Sequence, residues 1–335
     1  MLALGATLIL VALIAASIGA VRISFPRMAA ALFGNGSEGA QAARDQLILL
    51  SIRLPRLAMA AMVGALLAAA GTVMQGLFRN PLADPGLVGV SAGAGLAAAT
   101  TIVVGDKALP AAVMNSPLLL PVAAFLGALA TTALLYRIAT TQGRTLIATM
   151  LLAGLALGAL AGAGTGLLVF LADDRQLRDI TFWMLGSLAG ATWTKAAAIV
   201  PFLFLFLASF AVVGRGLDLL VLGESEAFHM GIAVERLKRL LIVLVAAAAG
   251  ASVSVAGVIG FVGIIVPHLL RLAIGPGHRL LLPASACAGA ILLVAADTVA
   301  RTLASPAELP IGIVTALIGA PFFLYLLLRQ RALIS

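Results

Sequence analysis

The stretch Gly71-Thr-Val-Met-Gln-Gly-Leu-Phe-Arg-Asn-Pro-Leu-Ala-Asp-Pro85 carries a long apolar segment into a polar corner broken by two prolines, and a second apolar segment starts at Gly86. Helices normally stop before proline, because its ring removes an N–H donor and clashes with the carbonyl one turn back. With Arg79, Asn80 and Asp84 gathered between apolar spans, the stretch predicts a helix end and a built corner at a membrane face. An ordinary interhelical loop is the plainer alternative.

Outward from this corner the chain stays apolar. Of its 335 residues 62% are hydrophobic and only 10% charged, with a mean hydropathy of +1.17, whereas a soluble domain carries about 25% charged residues. The composition excludes a soluble globular domain. Lipid leaves no water to satisfy backbone groups, and strand-period alternation is absent, so an all-α polytopic membrane protein is expected. Runs of about 20 apolar residues suffice to span. They give about ten spans, roughly 2–21, 54–78, 87–104, 118–136, 146–171, 194–213, 240–256, 258–274, 281–300 and 311–328, within one transmembrane domain, 1–335. The stretch 180–192 is too short to cross. The first span has no basic residue ahead of it, which argues for a true helix over a cleaved leader. Gly154, Gly158, Gly162 and Gly166 place small residues along one helix face and predict close helix packing.

Lys and Arg divide almost evenly between the two sets of loops, so the positive-inside bias barely selects an orientation. The net charge of +8 is split between two faces and lacks interleaved aromatics, which excludes a nucleic-acid surface. A weak internal repeat, 53–171 and 236–328, is suggested by Arg53-Leu-Pro-Arg-Leu57 and Arg236-Leu-Lys-Arg-Leu240, and by glycines ten residues ahead of Pro81 and Pro267.

No enzyme constellation is present: no His-x-x-x-His pair, no G-x-S-x-G elbow and no Walker A lysine, so ATP-driven work needs a separate polypeptide. Cys287, the single cysteine, sits in an apolar run and reads as packing, and no metal site is expected. Asp297 is the strongest intramembrane ionisable group. It lies four residues from Arg301, so the two share a helix face, and an interfacial ion pair is expected over a proton site.

A set of motifs then follows in order: Arg53-Leu-Pro-Arg56, Met74-Gln75, Arg79-Asn-Pro-Leu-Ala-Asp-Pro85, Gly89-Val-Ser-Ala-Gly-Ala94 and Trp183-Met-Leu-Gly-Ser-Leu188. They continue through Gly257-Val-Ile-Gly-Phe-Val-Gly263, Pro267-His-Leu-Leu-Arg271 and Gly277-His-Arg-Leu-Leu-Leu-Pro283 to Ala296-Asp-Thr-Val-Ala-Arg301, Glu308-Leu-Pro-Ile-Gly312 and Gly319-Ala-Pro-Phe-Phe323. The ordered set resembles the permease subunits of ABC importers for iron–siderophores, haem and vitamin B12 (FecCD-like, type II). The resemblance implies a type II importer permease fold with the N-terminus inside, a homodimer in the bacterial inner membrane, and two ATP-binding subunits on the cytoplasmic face that carry ATP and Mg. It also implies a periplasmic substrate-binding protein, and no cofactor bound by this chain.

Residue by residue, the same resemblance implies that Arg53, Arg56 and Arg301 dock the binding protein, with anchoring to membrane lipid as their alternative role. It implies a gate at Asn80 and Leu82 with a second layer at Ile147 and Ala148, where the vitamin B12 relative has small hydroxyl residues. A cytoplasmic coupling loop, 214–239, would engage the ATPase through Gly223, Glu224, Glu226, His229 and Gly231. The run Leu177-Arg-Asp-Ile-Thr-Phe-Trp183 is similar to haem-type permeases, so haem is the expected substrate, ahead of a ferric siderophore or vitamin B12. Arg175 and Arg178 are the candidates for contact with its two carboxylates, since arginine pairs well with carboxylate. Asp173, Asp174 and Asp179 nearby offer local salt pairing instead. An ion-coupled secondary transporter is the remote alternative.

Overall fold

The computed structural model describes residues 1–19, 21–34, 40–304 and 307–331. Short turns aside, the chain runs through α1 (Leu2–Ser17), α2 (Phe25–Phe33), α3 (Ala40–Leu77), α4 (Val90–Gly105), α5 (Leu119–Ala139), a small hairpin β1–β2 (Thr140–Thr141, Arg144–Thr145) and α6 (Ile147–Leu171). It continues with α7 (Asp174–Met184), α8 (Trp193–Leu222), α9 (Glu224–His229), α10 (Val234–Ala256), α11 (Val262–Ile274), α12 (His278–Leu303) and α13 (Ile311–Arg331). Six of these are long and apolar enough to cross a membrane, and α1, α4, α11 and the apolar part of α13 are four shorter apolar helices. Each of the ten expected spans holds an apolar helix among the described residues, six of them long enough to cross.

Three departures in the span edges have local causes. The second span extends outward to Ala40, giving α3 38 residues and a length of about 57 Å, well beyond an apolar core of about 30 Å. Its outer end pairs with α2 as a short antiparallel arm, clamped where Arg27 donates to both oxygens of Asp45 at 2.7 Å. Ile48–Arg53 within α3 is wound as a π-helix, which turns Arg53 inward. The expected loop 214–239 is mostly helical: 214–222 completes α8 and 234–239 begins α10, with α9 between them.

Helix α3 is the axis of the bundle, packed by α12, α8, α10 and α11. Small residues set these approaches. A Cβ at Gly64 would lie 2.2 Å from the carbonyl oxygen of Gly289 on α12, and one at Gly71 would lie 2.0 Å from that of Gly263 on α11. The first glycine of the opening stretch therefore lets two backbones touch. Gly71→Ala is expected to lower the thermal midpoint of the detergent-solubilised protein, since overpacking a close contact costs about 1–3 kcal/mol. An unchanged midpoint would show that α11 can shift away freely.

The last of these partners is a broken helix. Helix α11 has 13 residues, about 20 Å, too short to cross. Gly257–Phe261 completes the passage without helix, and such backbone is tolerated at depth only where protein buries it or it lines a cavity. Here Ser187 N donates to Ala256 O at 2.8 Å and Ile259 is buried. Phe261 holds φ +69, a left-handed conformation unusual for a bulky residue, and its ring rests on Gly319 of α13, where any Cβ would clash at 2.2 Å.

On α6 the expected small-residue face packs only in part. Gly154 lies against Leu87 O, where a Cβ would come within 2.1 Å, whereas Gly158, Gly162 and Gly166 have nothing within 4 Å. That correction leaves most of α6, with Leu155, Leu160 and Phe170, exposed within a single subunit.

Candidate functional site

The corner between α3 and α4 folds back against the bundle. Arg79 adopts φ +49, Asn80 N returns to Gln75 O at 3.1 Å, and the Asn80 side chain accepts from Leu82 N at 2.9 Å. This Asx turn pre-forms the Pro81–Leu82 bend. Asp84 Oδ1 accepts from Gly86 N at 2.7 Å and caps the next turn, and Ala83 and Val88 are fully buried. Asn80 is exposed and Leu82 half-buried, as are Ala148 and Ile147 respectively at the start of α6. Helix α6 meets the corner through Gly154 and Leu87, so the two expected gate layers belong to one contiguous structure.

Lys238, which the sequence offered only as part of the basic Arg236–Arg239 cluster, ties that structure to α9. Only 3% exposed, its ammonium donates to Glu224 at 2.8 Å, to Glu235 at 3.0 Å and to Thr145 O at 3.2 Å. Glu235 in turn accepts from Thr145 N at 3.0 Å. One lysine therefore joins the first residue of α9, the start of α10 and the hairpin two residues ahead of Ile147. The i, i+3 spacing of Glu235 and Lys238 was a legible signal for part of this network. Glu224 is thus an internal ion-pair partner, 45% exposed. Glu226 folds back onto Gly223, whose φ of +137 requires glycine, as does the φ of +84 at Gly231. His229 is exposed. The apolar side chains presented by this turn are Phe228, 67% exposed, and Met230, 56% exposed.

At the opposite end, Arg53, Arg56 and Arg301 converge but are not displayed. Arg53 donates to Ala16 O and Val21 O, and Arg301 to Ala15 O, so the two guanidiniums cap the C-terminus of α1, where unsatisfied carbonyls carry partial negative charge. Arg56 is bidentate to Asp297 at 2.9–3.0 Å and holds Glu308 at 2.9–3.0 Å. The expected Asp297–Arg301 pair is present but long, with Arg301 Nε 3.9 Å away, and Arg56 is the nearer partner of an aspartate that is only 1% exposed. The position of Arg56 on α3 opposite α12 could not be read from spacing alone.

Helix α7 lies near this outer end. Asp173 caps it through Arg175 N and Gln176 N at 2.9 and 2.8 Å, so that aspartate is occupied. Arg175 is exposed and only 3.9 Å from Asp179, and exposed Arg178 has no carboxylate within 4.0 Å among the described residues. Beyond α7 an apolar cavity of ≈ 550 Å³ opens between Leu185, Val258, Gly312, Leu317 and Pro321. Among the described residues no His, Cys, Asp or Glu cluster could hold a metal ion.

Residues 7–329 match the FecCD transport family. The chain is 44% identical over 328 residues to the hemin transport system permease protein HmuU of Yersinia pestis, covering 97% of this chain and 93% of the relative. It is 48% identical over 286 residues to the cobalamin import system permease protein BtuC of Halobacterium salinarum, covering 85% and 74%. A solved inward-facing metal-chelate type ABC transporter superposes with a TM-score of 0.83 at 33% identity, covering 98% of both chains. In this family ATP hydrolysis resides on a separate subunit, and the relatives are multi-pass permeases of the inner membrane. The broken helix, the proline corner and the ten spans therefore have one explanation: the chain belongs to the FecCD transport family and is the membrane-spanning permease of an ABC importer.

Proposed function

We propose that this permease imports haem by alternating access. It works as a homodimer with two ATP-binding subunits inside and a periplasmic binding protein outside. The observation that carries the reading is α7, which carries exposed Arg175 and Arg178 and whose last residue, Met184, lines an apolar cavity. Haem is a flat apolar macrocycle with two carboxylates, so apolar walls with guanidiniums at their edge suit it. The likeness to a hemin permease over 97% of the chain supports the same cargo. The 48% identity to a cobalamin permease favours a second reading, a cobalamin or ferric-chelate cargo.

The dimer forms through the exposed face of α6, whose glycines 158, 162 and 166 admit close backbone approach. Phe228 and Met230 fill an apolar cleft of the ATPase, held by the glycine-bounded turn of Gly223, Glu224, Glu226, His229 and Gly231. Its closure moves Lys238 and the β1–β2 hairpin, and with them the gate at Asn80, Leu82, Ile147 and Ala148. A binding-protein carboxylate docks at Arg56 by displacing Glu308, the more exposed of its two partners, with Arg53 and Arg301 holding the rim around it. ATP and Mg act only on the partner subunits.

The test is ATP-dependent uptake into liposomes by the permease, its ATPase and its binding protein, comparing haem, ferric siderophores and cobalamin. Haem uptake that requires ATP is the expected result. Uptake of another cargo alone would overturn the substrate. Within the same assay Arg178→Glu is expected to cut haem uptake about tenfold, an effect on the scale of losing one charge-assisted contact of about 1.5–3 kcal/mol, while binding-protein-stimulated ATPase activity persists. Equal uptake by this variant would remove α7 from the cargo path.

A further inference from the structure

At the inner end four helix termini meet around a cavity of ≈ 410 Å³: the ends of α3, α8 and α11 and the start of α12. Arg79 and Arg271 line it, and neither has a carboxylate within 4.0 Å among the described residues. The one acid in the wall, Asp218, is already engaged, accepting from His278 N at 2.7 Å and pairing with His278 Nδ1 at 2.9 Å. Arg271 is held in place for a ligand. Its Nη1 donates to Gln75 Oε1 at 2.9 Å, and buried Gln75 is itself anchored to the carbonyls of Gly263 and Ile264 at 3.2 and 3.3 Å.

The surroundings indicate which anion fits. Val221 in the wall is 51% exposed, and Leu222, Leu272 and Ile274 beside it are 62%, 69% and 41% exposed. Apolar side chains left open beside two cations that line one cavity, at the level where helices end, describe the boundary between acyl chains and headgroups. Basic pockets between helices on the cytoplasmic side select anionic headgroups, each basic contact contributing about 1 kcal/mol. We infer that Arg79 and Arg271 form a binding site for the phosphodiester of an anionic phospholipid of the inner leaflet. The site does not depend on which cargo is carried. It places a lipid against Pro81 of the gate corner and against the N-terminus of α12, and so ties the corner's position to the surface charge of the membrane.

The test is native mass spectrometry of the intact permease–ATPase complex, with phosphatidylglycerol or phosphatidylcholine added in detergent. Wild type is expected to retain phosphatidylglycerol selectively, with apparent affinity falling about tenfold or more in Arg79→Gln/Arg271→Gln, as two lost basic contacts imply. Arg79→Lys/Arg271→Lys should recover most of it. The exposed single variant Arg79→Gln should fall severalfold even if the double variant folds poorly, and Arg137→Gln, elsewhere on the inner face, should not change it. Millimolar inorganic phosphate should not displace the lipid. Equal retention by wild type and Arg79→Gln would overturn the site. Full displacement by phosphate would make it a free-anion site and overturn the lipid, and loss of the ATPase subunit with lipid retention unchanged would make it a contact between subunits.

Discussion

Lys238→Met is expected to reduce ATP-driven uptake at least about tenfold while ATP hydrolysis continues without its response to the binding protein. The ammonium is buried and is the cation shared by Glu224, Glu235 and the Thr145 carbonyl. Removing it leaves two carboxylates facing each other and a backbone oxygen without its donor. Breaking a fully buried pair costs about 3–5 kcal/mol. Here both glutamates are partly exposed, at 45% and 32%, so solvent screens much of that, and the protein is expected to remain folded. What fails is rigidity: α9 and the β1–β2 hairpin no longer share a fixed point, so movement at the ATPase face does not reach Ile147. Uptake and basal hydrolysis in the same liposomes, with the thermal midpoint as control, measure this. Normal uptake by Lys238→Met would show that α9 and the hairpin are coupled by another route, and parallel loss of both activities would show a fold defect instead.

Asp297→Ala should have the larger effect on stability, about 3–5 kcal/mol, because it strands charges in the interior. Arg56 and Arg301 have side chains 8% exposed, and Asp297, at 1%, is the carboxylate buried with them. Glu308 neutralises only the outer edge of Arg56. The expected outcome is a large fall in the detergent melting midpoint and in the yield of assembled complex. Asp297→Leu with Arg56→Met should recover much of it, since an apolar replacement of a whole buried pair is often close to neutral. If Asp297→Asn instead melts like wild type but abolishes uptake, the carboxylate's charge serves transport rather than stability. That single comparison separates a structural ion pair from a chemical one.

Much of the architecture was visible in the residues. Apolar runs gave the ten spans because every backbone group in lipid must be paired within its own helix. Pro81 and Pro85 gave the corner because proline cannot continue a helix. The Gly223 and Gly231 boundaries of the α9 turn also follow from local conformation. Less legible was which charges face inward. Arg53, Arg56 and Arg301 were expected at the outer mouth from the resemblance, whereas the fold turns Arg53 and Arg301 onto the carbonyls that end α1 and Arg56 onto Asp297. Likewise Asp297 has a legible helix-face neighbour in Arg301, yet Arg56, 241 positions away, supplies the shorter pair.

The sequence by itself determined that this chain crosses the membrane about ten times, where it must bend, and to which family it belongs, since hydropathy, proline and ordered motifs are properties of neighbouring residues. Only the tertiary structure decided the partners. Gly71 meets Gly263, Lys238 meets Thr145, and Arg271 meets Gln75 because helices distant in the chain pack side by side. In a low-dielectric interior a charge must find an opposite charge or a dipole wherever the fold brings one close, and closeness in space is not written in the spacing of residues along the chain.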